Sequence, residues 1–221
     1  LVKTVIQNHN QESYEAQMIR KDGTIFPAIL RGRDLTFLGK KLRVSAILDI
    51  TEIKKKEKEI LQLAQYDSLT GIPNRLLFKE ILSSIVKRSQ RNGFYAALFF
   101  IDLDNFKIVN DTKGHDVGDE VLIETAKRIQ NILRQTDIVA RLGGDEFVVA
   151  LETTNSDENI VISDINIIVN KILQEIRKPY LISDFSFRLT ASIGIFLFKD
   201  HQYSIDELMK LIDTKGLAAL L

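Results

Sequence analysis

Cysteine is absent from the 221 residues, which excludes both a disulfide framework and a thiolate zinc centre and suits a reducing compartment. Net charge is absent too. Lys and Arg together number 30, as do Asp and Glu, so no electrostatic excess favours nucleic acid or an anionic membrane. No apolar run approaches the roughly 20 residues of a membrane span, and no signal-peptide pattern is visible. These absences lead us to expect a soluble, cytoplasmic fragment without membrane contact of its own, whose parent protein is free to carry an anchor elsewhere. The length suits one full domain and part of another.

The most informative stretch is Arg141-Leu142-Gly143-Gly144-Asp145-Glu146-Phe147, followed by the apolar Val148-Val149-Ala150-Leu151. Apolar residues around a Gly-Gly-Asp-Glu centre predict a strand, a tight turn and a second strand. Two carboxylates at such a turn need a cation before they approach a phosphate, which points to a divalent metal. Upstream, Phe94 to Ile101 is an unbroken apolar run, the pattern of a strand buried on both faces. It ends in Asp102-Leu103-Asp104-Asn105-Phe106-Lys107, where a helical segment opens and free backbone amides become available to phosphate oxygens. Asp102 or Asp104 together with Asp145 would form a two-strand carboxylate clamp for Mg²⁺ and a nucleoside triphosphate.

Along the chain, Tyr14 to Arg20, Thr24 to Arg31 and Lys41 to Asp49 favour strands, separated by Lys21-Asp22-Gly23 and a turn around Gly39-Lys40. Residues 51–65 read as a helical linker. Ile53, Ile60 and Leu63 stand at coiled-coil spacing there; a surface helix without a partner is the other reading. Helices are expected from Asn74 to about Ser89, from Val117 to Leu133 and within Glu158–Arg177, with strands over Phe94–Leu103, Ile138–Leu151 (a hairpin) and Thr190–Phe198. The expected class is α+β, with helices packed on a mixed, largely antiparallel sheet.

Five motifs together resemble the GGDEF-domain diguanylate cyclases. Gly143-Gly144-Asp145-Glu146-Phe147 matches the pentapeptide that names the family. Asp67-Ser68-Leu69-Thr70-Gly71-Ile72-Pro73-Asn74-Arg75 resembles its D-x-L-T-G-x-x-N-R, and Asp102 to Asp111 its D-x-D-x-F-K-x-x-N-D. Gly114-His115-Asp116-Val117-Gly118-Asp119 and Ser192-Ile193-Gly194 follow at family spacing. The resemblance implies a ferredoxin-like sheet of the nucleotidyl-cyclase type over residues 66–221. It implies condensation of two GTP into cyclic di-GMP with release of pyrophosphate, by two domains facing each other in a homodimer.

The resemblance also implies roles. Asp102, the Leu103 carbonyl and Asp145 would hold Mg²⁺ (or Mn²⁺), with Glu146 close by as a candidate base. The amides of Asn105, Phe106 and Lys107 would hold the β- and γ-phosphates, Asn110 and Asp119 would read guanine, and Gly143 and Gly144 would leave room for the nucleotide. His115 is expected to be structural, and His9 and His201 carry no role. Arg134-Gln135-Thr136-Asp137 resembles the family's R-x-x-D product site, where Arg134 and Asp137 would bind cyclic di-GMP and restrain the enzyme.

Residues 1–50 resemble the last strands of a PAS sensor domain, through Ile19-Arg20-Lys21-Asp22-Gly23 and the close Asp49-Ile50-Thr51-Glu52. The other end departs from the family. After Leu211-Ile212-Asp213-Thr214-Lys215 the chain runs Gly216-Leu217-Ala218-Ala219-Leu220-Leu221, with Leu220 where the family has a phosphate-binding lysine. Either the chain is cut there or it is a divergent copy. Two function classes stay open: a diguanylate cyclase, and a GGDEF-type module that binds GTP or cyclic di-GMP and signals by contact.

Overall fold

Nine residues, Tyr95–Leu103 (β4), form the strand on which the larger part of the chain is built, and seven of them are buried. The computed structural model describes residues 13–153, 155–199 and 203–213. His9, His201, Lys215 and the departing tail from Thr214 onward lie outside them. The chain divides into two compact units that meet between Gln62 and Leu63.

In the first unit, Tyr14–Ile19 (β1), Ile25–Phe37 (β2) and Lys40–Asp49 (β3) pair in sequence order as an antiparallel meander. β2 runs six residues past the expected Arg31. Gly32, Arg33 and Asp34 lie past the expected end of the strand, yet each pairs with a residue of β3, and the ladder runs up to Phe37 opposite Lys40. The ladder continues because the turn closing it is the two-residue Leu38–Gly39, which holds both strands in register to their ends. Thr51–Gln65 (α1) follows, with Thr51 capped by the Asp49 carboxylate through its amide (2.9 Å) and hydroxyl (2.5 Å). Ile53, Ile60 and Leu63 on α1 are all at least half exposed.

The second unit contains Arg75–Asn92 (α2), β4, Phe106–Lys113 (α3), His115–Ile132 (α4), the hairpin Ile138–Gly143 (β5) and Glu146–Glu152 (β6), and Glu158–Ile176 (α5). A small hairpin, Tyr180–Ile182 (β7) with Phe185–Phe187 (β8), precedes Ala191–Lys199 (β9) and Ile205–Asp213 (α6). The sheet order is β5-β6-β4-β9, and every neighbour is antiparallel, so the expected admixture of parallel strands is corrected to none within the sheet. Two split β–α–β crossovers with this order are the ferredoxin-like arrangement. The helix starts follow the sequence: Asn74 accepts the Leu76 and Leu77 amides at the head of α2, and Asp157 does the same for Asn159 and Ile160 at α5.

Because side chains alternate across a strand, β4 feeds two cores. Phe99, Ile101 and Leu103 join Phe147 and Val149 beneath α4 and α5, through Val121, Ile129, Ile165 and Ile172. Leu98 and Phe100 join Val148 and Ala150 beneath α2 and α6, through Phe78, Leu82, Leu208 and Ile212. Each of these large side chains contributes about 1.5–3 kcal/mol by its burial. The β7–β8 hairpin, not expected from the sequence, carries the fully buried Tyr180. Its hydroxyl meets Thr125 Oγ1 at 3.0 Å, and the Arg128 guanidinium lies 4.0 Å from its ring centre. With both sheet faces covered, the ends of the strands and the loops leaving them are what remain open to a ligand.

Candidate active site

β4 delivers Asp102 and Leu103 to one such end. In the ladder Asp102 faces Glu146 of β6 on one side and Ser192 of β9 on the other. The chain then turns into α3 through Asn105, which has φ of 60°, and Ile108 N donates to Asn105 O at 2.9 Å. The loop is tied to β9 by Asp104. Its amide donates to Thr190 O (2.9 Å), while its carboxylate accepts from the hydroxyls of Thr190 (2.5 Å) and Ser192 (2.8 Å). Of the two candidate acids, Asp104 therefore has both oxygens engaged in holding the loop. Phe106, almost fully buried, anchors the start of α3 in the core.

The second contributor is the β5–β6 hairpin. Gly143 pairs with Glu146, so the turn is Gly144–Asp145 and Asp145 stands at its tip. Gly143 and Gly144 have φ of 149° and 53°, conformations that a residue with a Cβ rarely adopts. Arg141 secures the turn: its Nε donates to Gly144 O at 2.9 Å, and its Nη1 lies 3.0 and 3.1 Å from the two oxygens of Asp67. Asp67 also accepts from the amide (2.8 Å) and hydroxyl (2.6 Å) of Thr70. Burial works against ionisation of Asp67, but the Thr70 bonds and the Arg141 guanidinium outweigh it and hold the carboxyl below its ordinary value.

Loop and turn meet at an open cleft of about 480 Å³ lined by Asp102, Leu103, Asp104, Asn105, Phe106, Lys107, Asp145 and Thr190. Among the described residues, no three His, Asp or Glu side chains cluster closely enough to hold an ion alone. The donor set does suit a hard cation. Two carboxylates and a backbone carbonyl are all oxygen, and they leave coordination positions for phosphate oxygens and water, the way Mg²⁺ is usually held beside nucleotides. Lys107 and the first-turn amides of α3 add positive character at the same mouth.

Asn110 and Asp119 are not among the residues lining this cleft; they stand at the junction of α3 and α4. Gly118 explains the contact between those helices. A Cβ at that position would lie 1.9 Å from Asn110 Oδ1 and 3.3 Å from the Phe106 ring, so only glycine admits the Asn110 amide there. Arg134 and Asp137 are separate again. They close a turn in which Asp137 N donates to Arg134 O and the Asp137 carboxylate accepts from Arg134 N, each at 3.0 Å. The turn borders a pocket of about 120 Å³ whose wall includes Glu152 and Asp164, and burial raises the Asp137 pKa. Of the two glycines, Gly143 lines a different cavity, on the α2 and α6 side of the hairpin.

Arg141 and Asp67, which hold the hairpin in place, carry no role in the sequence reading. Both sit inside quoted motifs, so the signal was present. What the sequence does not show is that they meet.

The ferredoxin-like sheet thus brings an acid at the end of β4 and an acid at the tip of the β5–β6 turn to one cleft. Residues 64–219 match the family described as diguanylate cyclase, GGDEF domain, and the chain belongs to that family. It is 37% identical over 175 residues to MucR of Pseudomonas aeruginosa, named a bifunctional diguanylate cyclase/cyclic di-GMP phosphodiesterase, covering 79% of this chain and 25% of that protein. It is also 37% identical over 163 residues to the diguanylate cyclase TpbB of P. aeruginosa, covering 71% and 36%. Among solved structures, the GGDEF domain of TpbB superposes with a TM-score of 0.61 at 37% identity, over 67% of this chain and 84% of that one. The GGDEF domain of DgcB from Caulobacter crescentus, solved with cyclic di-GMP, gives 0.61 at 27% identity, over 71% and 89%. The chain spans 25% of the length of MucR and 36% of that of TpbB. Among the described residues, no helix is long and apolar enough to cross a membrane.

Proposed function

We propose that this chain is the cyclase portion of a cytoplasmic signalling protein that condenses two GTP into cyclic di-GMP. One observation carries the reading: Asp102 from β4 and Asp145 from the hairpin tip line one cleft with the first turn of α3. In this reading Asp102, the Leu103 carbonyl and Asp145 hold Mg²⁺, or Mn²⁺ in its place. The bound ion supplies charge neutralisation at the transferring phosphate. The amides of Asn105, Phe106 and Lys107 hold the β- and γ-phosphates. Asn110 and Asp119 take the guanine edge, which rejects adenine because the wrong base leaves buried polar groups unpaired.

The 3′-oxygen of one GTP forms a bond to the α-phosphorus of the other while the bond from that phosphorus to the bridging oxygen breaks, and pyrophosphate leaves. Glu146 is the group assigned to take the 3′-hydroxyl proton. Each domain binds one GTP, so two chains must face each other, and a monomer binds nucleotide with almost no turnover. We assign that pairing to α1, whose Ile53, Ile60 and Leu63 are exposed at coiled-coil spacing. The meander of residues 14–49 is then the remainder of a PAS sensor upstream. Arg134 and Asp137 bind the product and restrain the enzyme; the DgcB complex with cyclic di-GMP shows that a related domain binds this dinucleotide.

The test is incubation of the chain with GTP and Mg²⁺, followed by chromatography for pyrophosphate and cyclic di-GMP. Both products together are the expected result. GTP bound but unchanged would instead assign the chain as a nucleotide-binding signalling module, the reading favoured by Leu220 at the family's lysine position.

A further inference from the structure

The balance of 30 cations and 30 acids over the whole chain conceals a local excess. β1 pairs with β2 only between Ile25 and Leu30, so from Arg31 onward β2 and β3 form a two-stranded ribbon closed by Leu38–Gly39. Residues opposite one another in such a ladder share a face, and the faces alternate along each strand. On one face Leu35 stands opposite Leu42, next to Phe37 on β2 and Val44 on β3. Arg31, Arg33 and Lys40 share that face. The opposite face is polar and holds the ribbon's one acid, Asp34, 4.0 Å from Arg43. The side chains of Arg31, Arg33 and Lys40 enter no hydrogen bond or ion pair among the described residues. The first face therefore carries three unpaired cations and no acid. Its alternation is that of a strand pair with one side against an apolar medium, yet Leu35, Phe37, Leu42 and Val44 are between 45% and 64% exposed. Leu38, at the turn, is 86% exposed with φ of 48°, where glycine or asparagine is usual, so neither backbone nor core calls for leucine there.

We propose that this face of the β2–β3 ribbon is a docking surface for an anionic lipid bilayer. Leu35, Phe37, Leu42 and Val44 enter the headgroup layer. Arg31, Arg33 and Lys40 lay their stems along the same apolar surface and hold their charges against lipid phosphates. The ribbon lies flat and no deeper than the hydrated headgroups, because its strand edges carry backbone groups that hydrocarbon cannot satisfy. Charge decides against a second copy as the occupant: the same face would bring three further cations and no acid. Shape favours a bilayer, which offers a flat surface both negative charge and apolar depth. The whole-chain expectation of no membrane contact fails here because the cations and acids that balance overall are not evenly placed.

The test is flotation of the full chain with vesicles of phosphatidylcholine alone and of phosphatidylcholine with about one-third phosphatidylglycerol. Binding to the anionic vesicles should be at least about tenfold tighter than to the neutral ones and should weaken as salt rises to about 0.5 M. Each cation near an anionic surface is worth about fivefold in affinity, so Arg31→Gln, Arg33→Gln and Lys40→Gln together should lower binding at least about tenfold. Phe37→Ser with Leu42→Ser should lower it at least about tenfold with every charge kept. Lys41→Gln, on the opposite face, should matter less than Lys40→Gln. All these side chains are exposed, so the variants keep their fold, which circular dichroism checks. No binding, equal binding to both vesicles, or variants that bind unchanged would each overturn the proposal. So would a dimer in analytical ultracentrifugation that Phe37→Ser with Leu42→Ser dissociates, since the face would then belong to a second copy. The assay contains no nucleotide, so none of these outcomes decides whether GTP is cyclised.

Discussion

Arg141 and Asp67 stand 74 residues apart in the chain, yet the Nη1 of one lies 3.0 and 3.1 Å from both carboxylate oxygens of the other. The two side chains are only 11% and 20% exposed, so this is a partly buried pair. Through Arg141 Nε and Gly144 O it fixes the hairpin that presents Asp145. Arg141→Ala should cost about 1–3 kcal/mol of stability, since it leaves the Asp67 carboxylate short of a donor. Turnover should fall about a hundredfold, as misplacement of a reacting group by about 1 Å commonly produces. A double-mutant cycle with Asp67→Asn, read by urea denaturation, should give a coupling of about 0.5–3 kcal/mol; additive losses would show the pair to be inert.

The same pair sets an acid dependence. The folded-state pKa of Asp67 is depressed, so its stabilisation is fully present above the unfolded carboxyl value of 3.8 and is lost as pH falls through the folded value. Wild type should exceed Asp67→Asn in urea midpoint near neutrality. The difference should shrink below about pH 4. A constant gap down to the acid transition would assign the stabilisation to shape and not to charge.

Gly118→Ala places a methyl group 1.9 Å from Asn110 Oδ1, the end of a side chain that can rotate away. The fold should lose no more than about 1–3 kcal/mol, while the KM for GTP rises at least about tenfold because Asn110 is displaced. Combining Gly118→Ala with Asn110→Ala should restore the melting temperature without restoring nucleotide affinity. Recovery of both would remove Asn110 from the guanine site.

Asp102→Asn and Asp145→Asn each remove a charged oxygen donor while keeping the shape of the side chain. Activity should fall at least about a hundredfold. The metal concentration for half-maximal activity should rise, with the melting temperature nearly unchanged. A variant that keeps wild-type metal dependence would exclude that residue as a ligand.

Thr190→Val with Ser192→Ala withdraws both hydroxyls from Asp104. Each bond is worth about 0.5–1.5 kcal/mol, and the loop 104–107 keeps only the bond from Asp104 N to Thr190 O. The expected signature is a raised KM for GTP with a smaller change in kcat, measured by pyrophosphate release; unchanged kinetics would make the tie purely structural.

Much of this was readable in the residue order. The unbroken apolar run before Asp102 specified a strand buried on both faces, because it offers no polar alternation that would turn one face to water. The Gly-Gly-Asp-Glu centre specified a hairpin with an acid at its tip, because few other sequences accept that backbone. Asn74 and Asp157 marked helix starts by the chemistry of their side chains. These are local properties, set by neighbours within a few residues.

Tertiary structure alone decided the rest. It joined Arg141 to Asp67 and Asp104 to the hydroxyls of Thr190 and Ser192, and it pressed Asn110 onto Gly118. It separated the Arg134–Asp137 turn from the cleft. It also carried β2 past Gly32, where a polar stretch holds its conformation only because β3 lies beside it. Periodicity and turn chemistry report what a segment prefers. Which distant segment supplies the matching charge or hydroxyl depends on the strand order, and that exists only once the sheet has closed.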